Sequence, residues 1–414
     1  MKKPRRSACL ATCFVVYCLK ISGTGGIDMN DAVSIRELHE YDTDKLTVLL
    51  RQTFDDLGVG RDFFAGRHVV IKPNLVSPRT PDKAATVHPS FLTALGRIVS
   101  AFEPASLILA ESGGAPYTEA TLKNLYRVCG IDTAAEDGGI SLNLTTDCGI
   151  LLHSEGKMCR EFHVLQPILD ADVVIDLCKL KAHSLTKMSC AAKNFFGTVP
   201  GIEKFAMHAR FPEIADFQEM ITDLASAVSN HADVLCVCDA VVCMEGNGPT
   251  NGTPRPLGAV LASRSPFTLD VAAEHLLGFD GTVPLCDVAA SRGLTPRDYK
   301  ALTVLGDNIE DLRLTDCKEP DAQSGFLLKK LPKLFGGRVA HYFSPRPEIN
   351  RSVCVGCGKC RDSCPVHTIE IVEKDGRKTA KIHKDKCIHC FCCQELCPLN
   401  AVKIQKNILL RIVH

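Results

Sequence analysis

The chain has 414 residues, 45% of them hydrophobic, and 48 Lys+Arg balance 48 Asp+Glu. That is enough chain for two or three globular units of about 150 residues, and zero net charge argues against a protein built to coat nucleic acid or an anionic membrane. The 22 cysteines leave a disulfide framework, a metal protein or ordinary buried thiols, and their spacing has to decide.

Residues 1–28 begin MKKPRRSACLATCFVVYCLK, a basic stretch followed by an apolar run. The run is shorter than the roughly 20 residues a membrane helix needs, and no small-x-small cleavage site follows it. Residues from Met29 read as an ordinary start. We therefore expect 1–28 to be an upstream extension and the protein to be cytoplasmic, without a stable membrane anchor. Arg5-Arg6 keeps twin-arginine export as the alternative.

From 29 to 306, β-rich runs alternate with helical patterns. Strands are expected over 33–38, 68–71, 107–110, 173–177, 234–242, 259–262 and 301–305. Helices are expected over 44–57 (capped by Asp42 or Thr43), 89–102, 118–128, 186–196, 212–229 and 268–277. Such alternation implies an α/β fold with a largely parallel sheet, whose ligands gather at the carboxyl ends of the strands.

Those strand ends carry chemistry. Lys72-Pro73-Asn74 follows the second strand, and Glu111-Ser112-Gly113-Gly114 the third. Lys179, Lys181 and His183 follow the fourth, on one side if the chain stays extended. Lys193-Asn194 stands ten residues on, and Glu245-Gly246-Asn247-Gly248-Pro249 follows the next strand. Singly, a lysine is usually a solvated surface group, a Gly-Pro run a turn and a lone histidine a hydrogen-bonded core residue. Jointly they suggest a site for an anionic small molecule. Lys72, Asn74, Lys179, Lys181, Asn194 and Glu245 would bind it, with His183, Glu111 and Lys193 as catalytic candidates. Gly246-x-Gly248-x-x-x-Gly252 misses the dinucleotide fingerprint, and neither a nucleotide-binding P-loop nor a nucleophile elbow occurs.

Residues 307–347 read as a basic, proline-ended linker, solvated by default. From 348 to 414 the chain carries Cys354-x2-Cys357-x2-Cys360-x3-Cys364-Pro365, and the set recurs 33 positions later as Cys387, Cys390, Cys393 and Cys397-Pro398. Three cysteines at this interval wrap one iron–sulfur cube, and the fourth reaches across to the other. The spacing thus assigns Cys354, Cys357, Cys360 and Cys397 to one [4Fe–4S] cluster and Cys387, Cys390, Cys393 and Cys364 to a second. Paired C-x2-C units also bind zinc, but the third cysteine, the Cys-Pro and the duplication favour iron. Cys392 falls outside the pattern. The fourteen cysteines outside the two sets, Cys392 among them, show no regular pairing and read as buried thiols in a reducing cell.

Residues 348–405 resemble a bacterial two-cluster ferredoxin, a small α+β domain, and the resemblance implies low-potential one-electron transfer. The runs KPNL at 72–75, AES at 110–112, KLKAH at 179–183, KNFFGTVPG at 193–201 and DAVVCMEGNGP at 239–249 resemble the uncharacterised family catalogued as domain of unknown function 362. That family often carries a carboxyl-terminal ferredoxin module, and the resemblance supplies no substrate. The leading expectation is an iron–sulfur protein whose ferredoxin-like module passes single electrons between an external redox partner protein and either a further partner or an anionic ligand of the α/β domain; as an enzyme it would be an iron–sulfur oxidoreductase. A non-catalytic electron carrier and a redox-neutral enzyme with structural clusters are the alternatives; a nucleic-acid binder ranks last.

Overall fold

The computed structural model describes residues 29–322, 345–374 and 376–405. The expected extension 1–28 and the middle of the expected linker lie outside them.

Four parallel strands form the centre of the first unit: β2 (His68–Pro73), β3 (Ser106–Leu109), β7 (Val173–His183) and β9 (Asp233–Glu245). Their near-continuous apolar runs suit strands covered on both faces. On β7, Val173, Ile175 and Leu177 point into one core, and Val174 and Cys178 into the other. Helices Thr43–Asp56 and Pro89–Ser100 cover the first face through Leu46, Leu50, Phe91 and Leu95. Helices Ile214–His231 and Pro266–Leu276 cover the second through Phe217, Ile221, Leu269 and Ala273. Asp42 caps the first helix by accepting N–H bonds from Asp44 and Lys45.

Antiparallel strand β10 (Thr253–Ser263) joins β9 to β1 (Ala32–Glu37), and β11 (Thr303–Gly306) pairs parallel with β1. At the other edge, β4 (Ser141–Leu142) extends β3. With β8 (Lys187–Ser189) folded back on β7, the sheet has nine strands in the order β11-β1-β10-β9-β7-β2-β3-β4. A separate hairpin pairs β5 (Cys148–Leu152) with β6 (Glu161–Leu165). The fold is the expected mostly parallel α/β sheet, followed by a small α+β unit.

Two expected elements differ. The fourth strand does not stop at 177 but runs through the whole KLKAH segment, buried at every position. The helix expected over 186–196 is instead β8, a one-turn helix Ala191–Asn194 and a 3-10 turn Phe195–Thr198. Lys187, at φ 67°, reverses the chain so that Met188 pairs with Ala182. Burial on all sides had produced an apolar spacing that only resembles a helical stripe.

Where described, the segment expected as a linker bonds to the α/β unit. Lys318 O accepts the N–H of Gly246, and Glu319 pairs with Lys187 at 2.8 Å. In the second unit β12 (Arg346–Ile349) pairs with β15 (Val402–Gln405), and β13 (Ile369–Lys374) with β14 (Arg377–Ile382). Its core is largely the cysteines themselves, with Ile369, Ala380, Ala401 and Val402. So little apolar burial is a marginal basis for folding.

Candidate functional site

The eight spaced cysteines converge in two hollows. Cys354, Cys357, Cys360 and Cys397 line one, and Cys364, Cys387, Cys390 and Cys393 line the other. Each loop bends through left-handed backbone at matching places: Gly356 and Gly358 in the first, His389 and Phe391 in the second, with His367 and Asn400 after the Cys-Pro pairs. Glycine adopts that conformation freely, and the second loop does so with side chains present. Amide N–H groups donate to the ligand sulfurs: Thr368 to Cys364 at 3.3 Å, Ala380 to Cys354 at 3.3 Å and Ala401 to Cys397 at 3.2 Å. Four soft donors per hollow with amide support fit an iron–sulfur cube.

The second cluster loop is pressed against the α/β unit. Gln394, in the helix Cys392–Glu395, donates to Asn247 O at 2.9 Å, and Asn251 donates to Gln394 O at 2.6 Å. Thr250 donates to Glu395 O at 2.7 Å, and Arg79 to Cys397 O at 2.9 Å. Gly114 packs closely here: a Cβ would lie 2.8 Å from Leu396 Cδ2 and would make that side chain shift. The glycine-rich segment after β9, unassigned as a nucleotide motif, is thus a seat for the cluster loop.

A small cavity of about 80 Å³, partly open, lies between the units. Lys72, Asn74, Glu111, Lys193 and Asn194 line it on one side, as do Lys204 and His208, and Glu395 with Leu396 closes it from the cluster unit. Lys72 is not free to bind an anion: it pairs with Glu111 at 2.8 Å, and both are almost fully buried. Asn194 accepts from Lys72 at 3.2 Å and from Asn74 at 2.9 Å, and donates to Asp176 at 2.6 Å. Lys193 is the available cation. It lies 5.8 Å from the Phe196 ring centroid, and among the described residues no hydrogen bond or ion pair engages its ammonium. Burial lowers its pKa.

The other sequence candidates lie off the cavity wall. Lys179 pairs with Asp239 at 2.7 Å and donates to Tyr41 at 2.9 Å. Lys181 meets neutral oxygens, Asn74 Oδ1 at 2.5 Å and Ala85 O at 2.7 Å, and burial pushes its pKa down to about 7. A register shift between Lys179 and Lys181 sends them to different partners. Glu245 accepts the N–H of Lys318 at 3.2 Å. His183, fully buried, has Nε2 3.4 Å from Glu395 Oε1, yet neither atom is aligned for a hydrogen bond. Burial, with Lys193 and Lys181 nearby, holds its pKa well below the usual histidine range.

Sequence reasoning missed Lys204, His208 and Glu395. Lys204 donates to Ser112 O at 2.7 Å and Val199 O at 2.6 Å, and burial lowers it to about 7. His208 stacks on Phe217 and is lowered to about 3, also by burial, so it is a neutral imidazole at neutral pH. The four-residue spacing of Lys204 and His208 on helix Glu203–Arg210 is the signal that was available. Glu395 stood in the motif between Cys393 and Cys397, passed over for its neighbours.

Fold and site define an α/β protein carrying an iron–sulfur dicluster domain with an electron-transfer role. Residues 353–401 match the 4Fe-4S dicluster domain, and residues 69–275 match the domain of unknown function DUF362. The chain belongs to the DUF362 family. It is 30% identical over 278 residues to a thylakoid-associated protein of Synechocystis sp., covering 65% of this chain and 81% of that protein. A crystal structure from Thermotoga maritima is 10% identical with a TM-score of 0.32, over 53% of this chain and 55% of that one. Among the described residues no helix is long and apolar enough to cross a membrane.

Proposed function

We propose that the protein moves single electrons between an external redox partner protein and a small anionic molecule held in the cavity between its two units. Two [4Fe–4S] cubes, one per hollow, supply one-electron transfer when bound. The observation that carries this reading is the position of Glu395. It stands between two cluster-ligating candidates and is also the wall of the cavity.

The chain's own residues divide the work. Lys193 supplies the charge that holds the anion, and its half-buried setting strengthens that attraction. Asn74 and Asn194, held in a common network with Lys72 and Glu111, orient polar groups of the ligand. The neutral His208 excludes a second fixed cation. Lys204, with its pKa near 7, can give or take a proton at Nζ near neutral pH. At the first hollow Cys357 is exposed, with the exposed Val355 and Leu399 lining the same hollow. That apolar rim is where a redox partner would approach. The numerous free thiols favour a reducing cytoplasm as its setting.

The test is anaerobic. The purified chain should hold about eight irons, from two cubes of four. Adding inorganic phosphate or acetate should alter the electron paramagnetic resonance of one reduced cluster, and Lys193→Met should abolish that response. Four irons or fewer would contradict the cluster assignment, and a response unchanged in Lys193→Met would contradict the anion site.

A further inference from the structure

Three cysteines with no place in the cluster motifs meet inside the α/β unit. Cys178 on β7 stands directly opposite Cys238 on the parallel strand β9. Their period-two positions put both sulfurs on one face of the sheet. Cys190, at the start of the helix Ala191–Asn194, covers them. Cys190 Sγ lies 3.7 Å from Cys178 Sγ and 3.6 Å from Cys238 Sγ, and all three sulfurs fall within 4.8 Å of one another. None is more than 1% exposed.

Two carboxyl groups are buried nearby. Asp270, fully buried on the helix Pro266–Leu276, accepts the N–H groups of Ala191 at 2.7 Å and Ala192 at 3.2 Å, which fixes the helix that Cys190 opens. Asp176, two residues before Cys178 on the same face, is fully buried, and its Oδ2 has no hydrogen-bond partner. Packed thiols alone would behave as small apolar groups.

We propose that Cys178, Cys190 and Cys238 form a three-sulfur site for one thiophilic metal ion of the zinc or copper(I) class. Metal–sulfur bonds of about 2.3 Å at tetrahedral angles put sulfurs about 3.8 Å apart, close to the separations in this cluster. Thiolate-only sites select soft ions of this class. On binding, each Sγ–H bond is replaced by a metal–sulfur bond, the proton leaves to solvent, and no electron changes hands. The ion would tie β7 and β9 to the segment that presents Lys193 and Asn194 three and four residues beyond Cys190. It would thus be a positioning device for the cavity wall, chemically separate from the iron sites.

The test uses the full chain, purified anaerobically with its iron in place and dialysed after exposure to zinc or, separately, to copper(I). One added metal per chain is expected, with three sulfurs at about 2.3 Å by X-ray absorption at that metal's edge. Cys178→Ser, Cys190→Ser and Cys238→Ser should each reduce the added metal to near none while leaving the iron count unchanged, whereas Cys286→Ser, another buried thiol, should retain it. Iron content and thermal unfolding report whether each variant folds, and Cys→Ala versions serve where serine does not. Retention of neither metal by the unsubstituted chain, or undiminished metal in folded triad variants, would overturn the proposal and leave three packed thiols.

Discussion

The two units of this chain hold their charged and reactive groups in opposite ways. In the cluster unit the reactive side chains are themselves the core, with Cys354, Cys360, Cys364, Cys393 and Cys397 buried among very few apolar residues. In the α/β unit a conventional double core comes first, and several charges are buried beside it in pairs, as Lys72 with Glu111 and Lys179 with Asp239, while Lys181 and Lys204 meet neutral oxygens. One unit packs thiols where most domains pack hydrocarbon, and the other pairs many of its buried charges. The cavity lies where they meet, with a cation from the second kind of design facing a loop of the first.

This contrast can be broken by experiment. Removing iron with a chelator should unfold residues 348–405 while the α/β unit keeps its cooperative melting transition, both followed by hydrogen exchange. Simultaneous loss of both would show a single cooperative unit. Next in size, Glu111→Gln strands the Lys72 ammonium in the interior and should cost about 3–5 kcal/mol in urea unfolding of the α/β unit. A cost below about 1 kcal/mol would contradict a stabilising Lys72–Glu111 pair.

A smaller effect is graded with pH. Lys204 and Lys181 have folded-state values of about 7, below the ordinary 10.5, so between these limits the unfolded chain binds more protons. Stability should therefore rise as pH increases from about 7 toward 10, by at most about 1.4 kcal/mol per pH unit for each lysine. The groups acting on Lys204 are Glu111, Lys72, Glu203 and Cys148. Lys204→Met should flatten the slope, and urea midpoints at pH 7 and pH 9 would measure it. Smallest, Arg79→Ala removes the bond to Cys397 O and should cost about 1 kcal/mol, read as faster amide exchange over 394–398 with little change elsewhere.

Legibility in the sequence followed the same division. The cysteines recur at a fixed interval, so the two sets that line the two hollows could be grouped by counting. The α/β strands were legible because burial on both faces leaves apolar runs, although β7 ran on to His183 and the segment 186–196 mimicked a helix. The site was legible only in part. Lys72 and Lys179 looked like free cations because their partners stand 39 and 60 residues away, at Glu111 and Asp239. Glu395 belongs to the cavity only because the second cluster loop docks on Asn247, Thr250 and Asn251, a long-range event with no local signature.

The central claim is that the cavity and the second cluster loop form one electrostatic unit. A redox titration followed by electron paramagnetic resonance, comparing the unsubstituted chain with Lys193→Met, tests it most directly. Loss of a cation facing Glu395 should lower the midpoint potential of one cluster and leave the other in place. Two unchanged potentials, or two that move together, would contradict the account.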